Sequence, residues 1–284
     1  MVVLLACVSA VCFGVAIVTS KLGLRDLDAR AGAATSIPTA TLLFLIAAPF
    51  AWHVASYDLP ALALFALVGL FFPSLVTLLT FASNDRLGPI LTSTLSGTAP
   101  LFAVGTAALL LAAPIPPRAL LAAMGVLFGI ALMSGTSAGL LGDKPGWALL
   151  LPILGAVLRG LAQTLAKAAL ILWPYPFEGS LFSYVISSVV VMVAGSPHRM
   201  EKPKTSLRGR AWFALTGLLN GSAVLMMYAA LNQGAVATVA PIVAAYPLVS
   251  TLLGGACLPG ETVNLRVVAG VAITAAAIAF LVSG

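Results

Sequence analysis

Between Val2 and Ser20 the chain carries no charged side chain, and runs of similar length and apolarity recur to its C-terminal end. A helix that crosses the hydrocarbon core of a bilayer needs roughly 20 such residues. Hydropathy and turn residues together mark ten spans, over 2–20, 31–52, 60–81, 87–111, 118–134, 146–172, 179–194, 211–230, 234–258 and 265–282. The runs are continuous and do not alternate, which excludes barrel strands and leaves helices, whose backbone groups are satisfied within the segment. Charged residues make up 8% of the 284 residues, against about 25% in soluble domains. Lipid must therefore solvate most of the surface, and no length is left over for a soluble domain. The expected fold is an all-α membrane protein of about ten transmembrane helices. The first run has no basic leader and no convincing cleavage site, so it reads as a retained helix.

The breaks between spans carry turn chemistry. Pro114-Ile-Pro-Pro117 separates the fourth and fifth, Gly142-Asp-Lys-Pro-Gly146 the fifth and sixth, and Trp173-Pro-Tyr-Pro176 ends the sixth. Across this pattern the two halves of the chain match at a near-constant offset. Phe81 and Pro100 stand 147 positions before Tyr228 and Pro247, and Phe13, Gly14 and Lys21 stand 146 before Arg159, Gly160 and Lys167. The fifth and tenth spans both carry Gly-Val pairs (Gly125-Val126 and Gly270-Val271) and both finish on Ser-Gly. This divides the chain into two five-helix repeats, 1–140 and 141–284. Five is odd, so the second repeat must enter the membrane from the opposite side. Such inverted repeats place a substrate site near the midplane and support alternating access.

At these residues the chain resembles the drug/metabolite transporter superfamily, in its ten-helix EamA-type form. The best local match runs from Tyr228-Ala-Ala-Leu through Pro247-Leu-Val to Pro259-Gly-Glu261, followed by a Gly-bearing last helix. The first half departs from the pattern: Ala113-Pro114 stands where the second has Gly260-Glu261, and no Trp-Gly pair opens the first span. The resemblance implies a secondary transporter or exporter of a small polar metabolite, such as an amino acid or another carboxylate-bearing compound.

Basic residues fall unevenly between the loops. Those after odd-numbered spans hold eleven Lys and Arg, five of them between His198 and Arg210, whereas those after even-numbered spans hold only Arg118. That bias places the odd loops in the cytoplasm and both termini outside, although proteins of the family are usually read with both termini inside. The net charge of +6 is thus an orientation signal in a bacterial inner membrane and does not imply nucleic acid as a partner. Cys7, Cys12 and Cys257 lie in apolar runs without paired spacing, and read as small buried hydrophobes.

All eight carboxylates fall at loops or helix ends. An intramembrane acid is the usual device for binding a proton or a cationic drug, and its absence argues against an exporter of lipophilic cations. The opposite sign is present. Arg159, Gln163 and Lys167 are spaced i, i+4, i+8 on one face of the sixth span, with Arg159 near the bilayer centre. Exposing it to lipid would cost about 2.5–3.5 kcal/mol, so it should face the bundle interior, where a guanidinium suits a carboxylate or phosphate. The competing role is a structural Arg held by backbone carbonyls or Asn side chains. Lys167, nearer the helix end, can snorkel to the headgroups.

Asn220, Tyr228 and Tyr246 are further substrate-binding candidates, with Thr77, Thr80, Ser96 and Thr98 in the first half. Pro73, Pro100, Pro241 and Pro247 interrupt long helices. Gly125-xxx-Gly129 and Gly217-xxx-Gly221 permit close helix contact, assigned here to contacts within a monomer. No phosphate loop, metalloprotease motif, nucleophile elbow or Cys-His cluster is present, so no enzyme, cofactor or metal is expected. A non-transporting membrane scaffold or lipid-handling protein, with a tightly packed interior and no polar cavity, is the remaining alternative.

Overall fold

The protein is described by a computed structural model over residues 1–52, 56–133, 146–194, 206–257 and 265–282. Among the described residues the elements are α1 (Val2–Gly23), α2 (Ala29–Ala51), α3 (Leu59–Phe71), α4 (Ser74–Leu87), α5 (Pro89–Ser96), α6 (Ala99–Leu111), α7 (Pro117–Met133), a 3-10 turn (Gly146–Leu149), α8 (Leu150–Leu172), α9 (Pro176–Ala194), α10 (Leu207–Gln233), α11 (Val236–Val243), α12 (Tyr246–Cys257) and α13 (Leu265–Val282). The 142–145 turn, His53, His198, most of the basic 198–210 loop and the Pro259-Gly-Glu261 motif lie outside the described residues.

Among the described residues, seven segments are long and apolar enough to cross a bilayer, and three more, Ala99–Leu111, Pro117–Gly129 and Val268–Leu281, are apolar but shorter. Three expected spans are each built from two helices. The span 60–81 divides into α3 and α4 at Phe72-Pro73, 87–111 into α5 and α6, and 234–258 into α11 and α12. Proline lacks the N–H that a helix interior requires and crowds the preceding turn. Accordingly Pro73 caps α4, while Pro100 and Pro247 are the second residues of α6 and α12. Side chains start other helices: Asp28 accepts from the Ala31 N–H at 2.7 Å and Asp58 from the Ala61 N–H at 2.8 Å.

The surface has the polarity of a lipid-solvated protein. Leu42, Leu45, Ile46 and Phe50 of α2 and Leu109 and Leu110 of α6 face outward, while Ser9, Thr41, Ser183 and Ser187 are buried. The buried hydroxyls are satisfied across helices. Ser9 donates to the Ala223 carbonyl at 2.8 Å and Ser183 to that of Phe65 at 3.1 Å, the small-residue and hydroxyl packing that holds membrane helices together.

The same offset that pairs the halves in sequence pairs their contacts in space. Gly14 of α1 packs on Val249 and the Tyr246 carbonyl, and Gly160 of α8 packs in the same way on Phe102 and the Ala99 carbonyl. Gly69 meets Ser183 as Gly217 meets Ser36, and the Phe65 ring covers Gly179 as the Phe213 ring covers Gly32. Lys21 donates to the Asn84 carbonyl at 3.1 Å, and Lys167 to the Leu231 carbonyl at 2.7 Å. Some counterparts touch each other: Thr41 Oγ1 lies 2.7 Å from Ser188 Oγ, and Gly129 sits against Thr274. When residue i of one unit meets residue j of the other and j meets i, the relation is a two-fold rotation. The helices thus interlock about a pseudo-two-fold axis, with α1 held by α12, α8 by α6, α2 by α10 and α9 by α3. Both glycine motifs make these contacts within the chain, Gly125 on Ala277 and Gly221 on Ala40.

Candidate functional site

A cavity opens where the halves meet. It is lined from α1, the α3–α4 break, α4, α8 and α10, joined by Tyr184 of α9 and Tyr246 of α12. Among the described residues, Arg159 is the one charged member of the lining, and no carboxylate belongs to it.

Arg159 is 7% exposed. Its guanidinium carbon lies 5.1 Å from the centroid of the Phe13 ring and 5.4 Å from that of Tyr246, within the range in which an aromatic face attracts a cation. Its Nε has no hydrogen-bond partner among the described residues. Gly14 and Gly160, which follow Phe13 and Arg159, let α1 and α8 approach α12 and α6 closely enough to bring the rings to the cation.

Other buried polar atoms around it also lack partners: Gln163 Oε1 and the hydroxyls of Tyr184, Tyr228 and Tyr246. The Tyr246 hydroxyl faces Ser96 and that of Tyr228 faces Ser183, without reaching hydrogen-bond geometry. Leaving a buried donor unpaired costs about 1–3 kcal/mol. Of these groups, the Arg159 Nε and the Tyr184 and Tyr246 hydroxyls belong to residues that line the cavity.

Of the six expected binding residues, Arg159, Asn220 and Tyr246 line the cavity. Gln163 is buried one turn beyond Arg159 but outside the lining. Tyr228 is also outside it, packed 5.9 Å from the Phe65 ring. Lys167 holds the last turn of α10 through the Leu231 carbonyl at 2.7 Å, so its charge serves the helix end and not the cavity. Thr77 and Thr80 line the cavity, whereas Ser96 and Thr98 do not. Sequence reasoning passed over Tyr184, Phe81 and Phe13 as site residues. Phe13 had a signal in plain view, since it is the repeat counterpart of Arg159.

A two-fold helical bundle with outward-facing leucines and a cavity between its halves defines the class: an integral membrane protein. The EamA-like transporter family model matches residues 1–135 and again 146–283, and the chain belongs to that family. A solved crystal structure of a protein shares the fold, with a TM-score of 0.78 at 15% identity over 99% of this chain and 96% of the other. No curated protein matches the sequence.

Proposed function

We propose that the chain is a secondary transporter or exporter that moves a small carboxylate-bearing metabolite, an amino acid or a related acid, across a bacterial inner membrane by alternating access. The supporting observation is Arg159: a buried cation in a cavity between the halves, with aromatic faces beside it and no carboxylate in the lining. A buried charge is strongly disfavoured unless it is paired. Here the substrate supplies the counter-ion, and Tyr184, Tyr246 and Asn220 are placed to add hydrogen bonds.

In this reading the repeats are 1–140 and 141–284, and their pseudo-two-fold axis lies in the membrane plane. Rocking one half against the other then opens the cavity to each side in turn. The basic loops after the odd spans lie in the cytoplasm, with both termini outside; a C-terminal reporter active only in the cytoplasm should stay dark. The absence of an acid from the lining counts against lipophilic cations as cargo, and the polar cavity counts against a sealed scaffold.

Transport measured in proteoliposomes tests the proposal. Arg159→Gln should fold and insert, yet lose carboxylate uptake and the thermal stabilisation that carboxylates give the parent protein. Unchanged uptake in that variant would retire Arg159 as the binding group.

A further inference from the structure

The frame of the site is two-fold, but its chemistry is not. Each polar member in the second half has an apolar counterpart in the first. Arg159 corresponds to Phe13, Tyr246 to Ala99 and Tyr184 to Ile37, and Asn220 falls opposite the Phe72-Pro73 break. The first half lines the cavity mainly with Phe13, Ile17, Phe72, Val76 and Phe81. Its polar contribution is Thr77 and Thr80, and the Thr80 hydroxyl is already bonded to the Val76 carbonyl at 2.7 Å. One wall therefore carries a cation and hydrogen-bond donors, and the facing wall is hydrocarbon.

We infer that the cargo is an apolar-tailed monocarboxylate without an ammonium group, its carboxylate on Arg159 against the second half and its tail on the first-half wall. This rests on the proposed carboxylate site and narrows it. An amino acid would bring an ammonium into a cavity whose lining holds no carboxylate. The two rings nearest the carboxylate position, Phe13 and Tyr246, could attract an ammonium through their faces, but the guanidinium already occupies them. An ammonium there would be desolvated beside a like charge. A polar diacid would instead place its second carboxylate against a mainly apolar wall, whose polar members are Thr77 and Thr80.

The test uses the full chain in detergent and four probes on one skeleton: 4-methylpentanoate, its α-amino analogue leucine, acetate, which lacks the tail, and 3-methylbutylamine, which lacks the carboxylate. Binding is read from thermal stabilisation against concentration. The inference expects 4-methylpentanoate to bind about tenfold or more tightly than leucine or acetate, the amine not to bind, and Arg159→Gln to abolish the response. The added affinity over acetate follows from burying several methylene groups. Val76→Thr keeps the wall's shape but makes it polar; it should weaken 4-methylpentanoate about threefold or more, and weaken acetate less. It also gives a reading should Arg159→Gln fail to fold. Leucine binding as tightly as 4-methylpentanoate in an Arg159-dependent way overturns the inference and leaves the carboxylate site standing, as does acetate binding equally well. No Arg159-dependent binding by any carboxylate overturns both.

Discussion

Gly14→Ala should weaken carboxylate binding without altering any group that touches the anion. The added Cβ would lie 2.7 Å from the Tyr246 carbonyl oxygen and 2.5 Å from Val249 Cβ, where ordinary contact is about 3.5–4.0 Å. The start of α12 must therefore retreat from α1 by roughly an ångström. Overpacking of this kind costs about 1–3 kcal/mol, and alanine regains up to about 1 kcal/mol of helix propensity. The net loss of stability is then about 0–2 kcal/mol.

Binding should suffer more than stability does. The Tyr246 ring, now 5.4 Å from the Arg159 guanidinium, moves off the cation and takes its hydroxyl out of reach of the carboxylate. A hydrogen bond to a charged group is worth about 1.5–3 kcal/mol, so Kd should rise about tenfold or more. The control is Gly129→Ala, whose Cβ would meet the Gly270 carbonyl oxygen at 2.7 Å on helices that do not line the cavity. It should lower Tm to a similar degree and leave Kd alone. Ligand titrations followed by thermal unfolding measure both quantities. The reasoning fails if Gly14→Ala lowers Tm but leaves Kd within about twofold, or if Gly129→Ala raises Kd as much.

Arg159→Lys keeps the charge but loses the planar fork; it should retain the sign selectivity of binding and lose about tenfold in affinity, read from the same titration. Thr41→Val and Ser188→Ala, combined in a double-mutant cycle, should give a coupling of about 0.6–1.7 kcal/mol, because these two hydroxyls meet each other at the pseudo-axis. Additive unfolding energies would show that the bond contributes nothing. Asp58→Ala removes the cap of α3 and should cost about 1 kcal/mol without changing ligand affinity, checked by thermal unfolding with and without carboxylate.

Much of this was legible in the sequence, and unevenly so. Arg159 stands out because a charge in the middle of an apolar run has few places to go. The repeat was legible because Lys21, Gly14 and Pro100 keep their distance from Lys167, Gly160 and Pro247. Tyr184 was not: an aromatic ring in an apolar run looks like any packing residue, and only the tertiary arrangement turns it to the cavity. Proline was ambiguous for a related reason. Pro38 and Pro49 stay inside an unbroken α2, whereas Pro73, Pro100 and Pro247 begin new helices, and neighbouring helices decide which outcome occurs. For Lys167 the sequence left the partner open, because a long side chain can reach either headgroups or a neighbouring helix; it donates to the Leu231 carbonyl of α10.

The asymmetry of the site is itself a consequence of the symmetry. Phe13 and Arg159 occupy equivalent positions and face each other across the pseudo-axis at 5.1 Å, so whatever stands at this position in one half confronts its counterpart in the other. Two arginines at about that separation would repel by about 3 kcal/mol at an effective dielectric of about 20, with no carboxylate in the lining to relieve them. One arginine and one aromatic ring is the arrangement in which the duplicated position attracts and does not repel. Phe13→Arg alone should therefore destabilise the protein by about 3 kcal/mol or more, and adding Arg159→Phe should restore most of the lost Tm by recreating the pair in reverse. The exchanged protein should still bind carboxylates poorly, because its cation then projects from α1, away from the α8 position around which Tyr184, Tyr246 and Asn220 are arranged. If the exchange fails to recover stability, Phe13 and Arg159 are not held together as a pair. If it restores full affinity as well, the donors of the second half do not position the anion.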